Sequence, residues 1–99
     1  DLELLGFGEL LINSVEMDGT GFGFDIESLK SFTDKSNLPL ICMGGAGKYE
    51  HFYEVFKNSA VEAASTANLL NFIGDSINNV RSKLIQENVN LADFKQKLI

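Results

Sequence analysis

Three passages of the chain share one order, namely a short apolar run, a loop of glycine or other small residues, and an amphipathic stretch. The apolar positions of each amphipathic stretch recur three and four residues apart, which is typical of a helix that covers a core. Short apolar runs without polar alternation are typical of parallel strands that are buried on both faces. A helix after each strand returns the chain to the next parallel strand by a right-handed crossover. The repeat therefore predicts an α/β fold with parallel strands.

The boundaries of these elements follow from where the apolar spacing starts and stops. The predicted strands cover residues 8–15, 38–43 and 61–65. The predicted helices cover residues 25–33, 48–57 and 76–87, and a single helical turn is predicted over residues 68–72. At the ends of the chain we expect the last turn of a helix over residues 1–6 and one or two helical turns over residues 89–99.

Composition excludes several classes of function. The formal net charge is -6, and the 8 basic residues do not form the stripe that binding to a nucleic-acid backbone requires. No apolar run approaches the roughly 18 residues of a membrane span, so we expect neither a membrane-spanning segment nor a signal peptide. The lone cysteine, Cys42, has no partner for an internal disulfide, so we expect a cytoplasmic protein.

The loops that follow the strands are the candidates for a functional site. The carboxyl ends of parallel strands lie at one edge of a sheet, so we expect the three loops to meet there. In the first loop, residues 18–23, Asp18 could act as a general acid or base. The pair Asp18 and Gly19 is equally what an ordinary turn requires, so both interpretations remain open.

The second loop, Gly44 to Gly47, presents backbone amides without side chains and opens directly into a predicted helix. This combination favours anion binding through N–H groups and the positive end of the helix dipole, although glycines also serve close helix–strand packing. Its spacing matches neither a Walker loop nor the dinucleotide-binding fingerprint, so no cofactor is predicted. The third loop, residues 66–68, leads into the short predicted turn, as in barrels that hold a phosphate near a short extra helix.

Other reactive side chains have simpler explanations. His51 lies one turn into a predicted helix and is interpreted as a structural or surface histidine. No second histidine or cysteine stands at metal-binding spacing, so no metal site is predicted. Cys42 lies inside an apolar strand and is interpreted as a small buried hydrophobic residue. Phe52, Phe56 and Phe72 have the spacing of core residues.

Two segments of the sequence, GELLINSVEMDGT over 8–20 and GGAGKYEHF over 44–52, resemble the cyclase subunit of imidazole glycerol phosphate synthase. The two motifs keep that family's order and separation, and the resemblance extends more loosely to the end of the chain. It implies a partial TIM (β/α)8 barrel with about three C-terminal strand–helix units. Residues 1–99 would then form one fragment, from the end of helix 5 through helix 8, without a second domain.

The resemblance also implies a reaction. The family uses ammonia from a partner glutaminase subunit to convert a bis-phosphorylated ribulosyl aminoimidazole carboxamide nucleotide. The products are imidazole glycerol phosphate and aminoimidazole carboxamide ribotide, and two aspartates act as acid and base. Asp18 matches one of them and the other belongs to the first strand of the barrel, so we expect this chain to be inactive by itself. We also expect the missing N-terminal part of the barrel, or self-association, to cover its open strand edges.

The positions that match the family's motifs fall into two groups. The substrate-binding group implied by the resemblance contains Asn13, Ser14, Gly19 and Thr20. The phosphate-binding group contains Gly44, Gly45, Ala67 and Asn68. Two other functions remain open, namely a paralogue that carries out ammonia-dependent chemistry in surface-sugar or flagellar-glycan biosynthesis, and a non-catalytic phosphate-binding module. An aspartate on the first strand of the barrel would favour catalysis over the last of these.

Overall fold

Strands and helices alternate along the chain in the computed structural model, which describes residues 2–71 and 76–92. The strands are β1 (Leu10–Asn13), β2 (Leu40–Met43) and β3 (Ala63–Ser65). The helices are α1 (Ile26–Lys35), α2 (Tyr49–Asn58) and α3 (Ser76–Gln86), and a 3-10 turn covers Asn68–Asn71. The predicted order of elements is confirmed, while each strand is shorter than the apolar run that contains it.

The three strands form one parallel sheet in the order β1-β2-β3. The register aligns Leu11 with Ile41 and Ile41 with Ala63. A helix lies in each connection between strands, so the predicted α/β fold with parallel crossovers is confirmed. Three parallel strands that alternate with helices have the arrangement of a partial (β/α)8 barrel.

The hydrophobic core lies between one face of the sheet and the helices. Leu40 and Cys42 of β2 contribute to it, and Val55 of α2 is completely buried. Burial raises the pKa of the Cys42 thiol to about 12, so this cysteine stays protonated at neutral pH. Phe52 is buried and Phe56 packs against the core, as predicted, whereas Phe72 lies outside the described residues.

The opposite face of the sheet is open. Side chains alternate between the faces of a strand, so Leu11, Ile41 and Ala63 form one apolar row on this face. Leu11 is 57% exposed, and β1 alternates between intermediate and exposed side chains. The expectation that the first strand is buried on both faces is therefore wrong for this chain, because its described helices cover one face of the sheet.

When the missing part of the barrel does not cover this open face, we expect the chain to self-associate through it. Leu11→Asp should weaken self-association by about 10- to 100-fold, because burying a leucine contributes about 1.5–3 kcal/mol. The charge should change the stability of the monomer little, since Leu11 is already more than half exposed. Sedimentation over a wide range of protein concentration measures the effect, with Leu4→Asp, an 87% exposed residue outside the sheet, as the matched control. Monomeric wild-type protein with a cooperative thermal transition would contradict the prediction.

The two ends of the chain differ from expectation. Residues 2–6 form a turn in which the N–H of Gly6 donates to the Glu3 carbonyl at 3.1 Å, and Gly6 has a φ of 85°. The segment is therefore a turn and not the predicted end of an α-helix. At the other end, residues 89–92 have no regular structure, and the rest of the predicted helical tail lies outside the described residues.

Candidate anion-binding site at the carboxyl ends of the strands

The loops that follow the three strands meet, as the parallel order of the sheet predicts. The Gly23 N–H of the first loop donates to the Gly45 carbonyl of the second at 2.8 Å. The Asn68 side-chain amide, at the end of the third loop, donates to the Gly19 carbonyl at 3.5 Å. Backbone and amide hydrogen bonds therefore join all three loops into one surface.

The first loop is held in shape by its own hydrogen bonds. The N–H of Asp18 donates to the Ser14 carbonyl at 2.9 Å. The Thr20 hydroxyl donates to the Met17 carbonyl at 2.7 Å and accepts from the Phe22 N–H at 3.2 Å. The Thr20 hydroxyl is thus engaged inside the loop, and the loop presents the Asp18 side chain to solvent.

The second loop approaches the first so closely that its glycines have no room for side chains. A Cβ on Gly45 would lie 1.9 Å from the Gly23 carbonyl oxygen, and Gly45 has a φ of +112°. A Cβ on Gly47 would lie 2.4 Å from the Gly21 carbonyl oxygen, although Gly47 has no positive φ. Packing therefore explains these glycines, and the same packing brings the two loop backbones to one place.

A cavity of about 280 Å³ lies where the loops meet. Its lining consists of Gly19, Thr20, Gly21, Ala46, Gly47, Asn68 and Leu69. The backbone N–H groups of Gly21, Ala46 and Asn68 donate to no other residue in the described part of the chain. An anion in the cavity would supply an acceptor for such groups without requiring a basic side chain.

The predicted site residues divide by their position relative to this cavity. Gly19, Thr20 and Asn68 line it. Gly44 and Gly45 are buried next to it and set the path of the second loop, with φ angles of +99° and +112°. The structure places the exposed Ala67 directly before Asn68, and the exposed Asp18 directly before Gly19.

Asn13 and Ser14 do not face the same side of the sheet. Asn13 is at the end of β1, two residues after Leu11, and therefore belongs to the open face. The Ser14 hydroxyl instead accepts from the Met17 N–H at 3.3 Å, and Ser14 borders a separate cavity with Phe24 of the core. The structure thus brings neither residue into the cavity between the loops.

The sequence interpretation of His51 as a structural or surface histidine did not assign it a partner, and of the cavity residues only Gly21 was not discussed, since Ala46 and Gly47 belong to the predicted anion-binding loop. His51 is the third residue of α2, and its Nδ1 accepts from the Gly47 N–H at 3.0 Å. In a capping box the third residue of a helix, usually Glu or Gln, accepts from the N-cap N–H. His51 reaches one residue further back, past the N-cap Lys48 to Gly47. That position is the signal that could have identified His51 as a residue that holds the loop.

The His51 environment predicts a pH dependence of stability. Burial, followed by the nearby Lys48 charge, lowers the pKa of His51 below its usual value of 6.5, whereas Glu54 and Glu50 oppose the shift. The folded pKa lies below the unfolded one, so the stability contribution is present above pH 6.5 and is lost as pH falls through 6.5 toward the folded pKa.

The free energy of unfolding, measured with urea at pH values from 7.5 down to about 5.5, should therefore decrease. The chain has 1 histidine, so His51→Phe should abolish most of this decrease. An equal pH dependence in the wild type and this variant would exclude His51 as the cause.

Among the described residues, no group of three or more His, Cys, Asp or Glu side chains could hold a metal ion. No helix within the described ranges is both long and apolar enough to cross a membrane.

The sheet topology and the loops at its carboxyl edge define a segment of the (β/α)8-barrel class. Within that class, the chain belongs to the family of histidine biosynthesis proteins, whose model matches residues 1–74.

Curated relatives agree with this family. The chain is 41% identical over 88 residues to imidazole glycerol phosphate synthase subunit HisF of Saccharolobus solfataricus, covering 89% of the chain and 35% of that relative. It is 40% identical over 89 residues to the same subunit of Pyrobaculum aerophilum, covering 90% of the chain and 35% of that relative. It is 43% identical over 76 residues to a putative imidazole glycerol phosphate synthase subunit hisF2 of Parasynechococcus marenigrum, covering 77% of the chain and 28% of that relative. The chain thus spans about a third of the length of the relatives it matches.

Proposed function

We propose that the chain belongs to the cyclase subunit of imidazole glycerol phosphate synthase, a cytoplasmic lyase of histidine biosynthesis. Its substrate is the bis-phosphorylated ribulosyl aminoimidazole carboxamide nucleotide, and its ammonia comes from a glutaminase subunit. The identity of 40–41% to relatives that carry this subunit name supports the assignment. The observation that carries the proposal is the cavity between the loops, whose lining includes backbone N–H groups without an acceptor in the described chain.

Phosphate is the anion that this cavity suits best within the proposed reaction. The chain carries a net charge of -6, so attraction by a basic surface cannot account for binding of an anionic substrate. Neutral N–H groups next to the start of α2 bind an anion without such a surface, because the helix dipole adds a positive field. Holding one phosphate at this end would fix the distance from the loop to the reacting part of the nucleotide.

A titration of the chain with inorganic phosphate tests the binding step. We expect the amide resonances of Gly21, Ala46 and Asn68 to shift together with one dissociation constant, because these groups line one cavity. Sodium chloride at matched ionic strength is the control, since nonspecific screening would act on both salts. Shifts confined to residues outside the three loops, or no saturation, would reject the cavity as a phosphate site.

One feature of the cavity favours a second candidate function. The Asn68 amide reaches the Gly19 carbonyl at 3.5 Å, and Asn68 occupies a position where the resembled family usually carries a small residue. A larger polar side chain in the lining would select a different substrate, as in a paralogue that acts in surface-sugar or flagellar-glycan biosynthesis. Turnover of the complete enzyme with ammonium, on the histidine intermediate and on an aminosugar acceptor, distinguishes the two functions.

A further inference from the structure

His51 is a buried group that the proposed chemistry does not use. Among the described residues, His51 is the one polar or charged residue that is buried, with 8% of its surface exposed. Burial of an imidazole is costly unless its polar atoms find partners, and here Nδ1 accepts from the Gly47 N–H. This buried hydrogen bond joins the second loop to α2.

The imidazole ring contacts the first and the second loop. Its Cδ2 and Nε2 atoms lie 3.4 Å and 3.6 Å from where a Cβ on Gly23 would stand, so the ring packs directly against the first loop. Its Nδ1 holds the second loop through Gly47. Since His51 belongs to α2, it ties both loops to a rigid helix.

The second loop is consequently fixed on both sides of Ala46. On one side, the Gly45 carbonyl accepts from the Gly23 N–H at 2.8 Å. On the other side, the Gly47 N–H donates to His51 at 3.0 Å. Ala46 lies between these two hydrogen bonds and lines the cavity, and its N–H has no acceptor among the described residues. A glycine-rich loop fixed at two such points loses little further conformational freedom when a ligand binds.

We propose that His51 is a positioning residue that preorganises the second loop for phosphate by accepting the Gly47 N–H. The inference rests on the proposed function for the identity of the ligand. The hydrogen bond requires an unprotonated Nδ1, and burial, which lowers the pKa of His51, keeps the ring neutral at neutral pH. The charges that act on the ring come from Lys48, Glu50 and Glu54 beside or on its own helix, because the part of the first loop packed on it is Gly23.

Two substitutions separate the hydrogen bond from the packing. His51→Phe keeps a ring against Gly23 but removes the acceptor, whereas His51→Asn places an amide oxygen near the position of Nδ1 and removes the ring. We expect His51→Phe to weaken binding of inorganic phosphate at pH 7.5 by about tenfold, with a thermal transition lowered less than that of His51→Asn because the ring packing is kept. His51→Asn should bind phosphate within about twofold of the wild type despite a lower thermal transition, because packing and not the acceptor is lost.

Amide hydrogen exchange at Gly47 gives a reading that does not depend on phosphate. Exchange should be faster in His51→Phe than in the wild type and His51→Asn, because Phe leaves this N–H without its acceptor. If affinity instead followed ring packing, with Phe like the wild type and Asn weak, the positioning role would be overturned. If the wild type bound no phosphate, the proposed function would fail. Equal exchange of the Gly47 amide hydrogen in the wild type and in His51→Phe would separately reject the positioning role.

Discussion

Gly45→Ala should lower the free energy of unfolding by about 3 kcal/mol or more, a large part of the roughly 5–15 kcal/mol that stabilises a small domain. The added Cβ would stand 1.9 Å from the Gly23 carbonyl oxygen and 2.8 Å from the Gly23 carbonyl carbon. These are backbone atoms, so relief requires the two loops to separate and breaks the hydrogen bond from Gly23 to Gly45. The φ of +112° adds strain that an L side chain does not tolerate.

Other glycines of the chain separate these two causes. Gly6 has a φ of +85° with no atom within 4 Å of a Cβ, and Gly8 has neither constraint. Gly47 has no positive φ, but its Cβ would stand 2.4 Å from the Gly21 carbonyl oxygen. Urea denaturation of the four alanine variants should rank the cost as Gly45 above Gly47, Gly47 above Gly6, and Gly6 above Gly8. A cost at Gly45 no larger than at Gly6 would show that the close approach of the loops does not limit stability.

The sequence predicts the repeat of strand, loop and helix well, because each helix has its own apolar spacing. It does not predict how β1 is covered. A continuous apolar run such as residues 10–12 favours burial on both faces, but burial depends on which elements lie against each face. In this chain the described helices lie on one side, so Leu11 is exposed although its sequence context is that of a buried residue.

The candidate site was predictable to the extent that it depends on chain order. Parallel strands bring their loops together, and the glycines from Gly44 to Gly47 indicated either anion binding or close helix–strand packing. The separate orientations of Asn13 and Ser14 follow from the two-residue period of a strand, which the resemblance to a family motif does not include. The hydrogen bonds of Thr20 and the Gly47 partner of His51 were not predicted, because each depends on the local path of a loop.

Asp18→Asn should lower kcat of the complete cyclase by about 100-fold or more, if the chain has the proposed function. A positioned general acid or base contributes about 10²- to 10⁴-fold to a rate, and asparagine keeps the size of the side chain but cannot exchange the proton. Asp18 is exposed and stands one residue before Gly19, which lines the cavity. A substrate held there by its phosphate would therefore present its reacting part close to this carboxylate.

The same substitution should not weaken phosphate binding. Asp18 carries a negative charge beside the proposed anion site, so its neutralisation should leave the affinity of the chain for inorganic phosphate unchanged or increase it a few-fold. A residue that acted by binding the phosphate would show the opposite, with a loss of affinity that accounts for the loss of rate. The two measurements together thus separate proton transfer, which affects the transition state, from ground-state binding.

Glu16→Gln is the matched control, because Glu16 is an exposed carboxylate in the same turn and the substitution removes the same charge. It should change kcat by less than about threefold, since the loss of one exposed charge at this distance is largely screened by salt. Equal losses of kcat in Asp18→Asn and Glu16→Gln would mean that kcat depends on the net charge of the loop and that Asp18 is not an acid or base. Full activity of Asp18→Asn would exclude Asp18 as the catalytic acid or base. The titration with inorganic phosphate would still test the phosphate site independently.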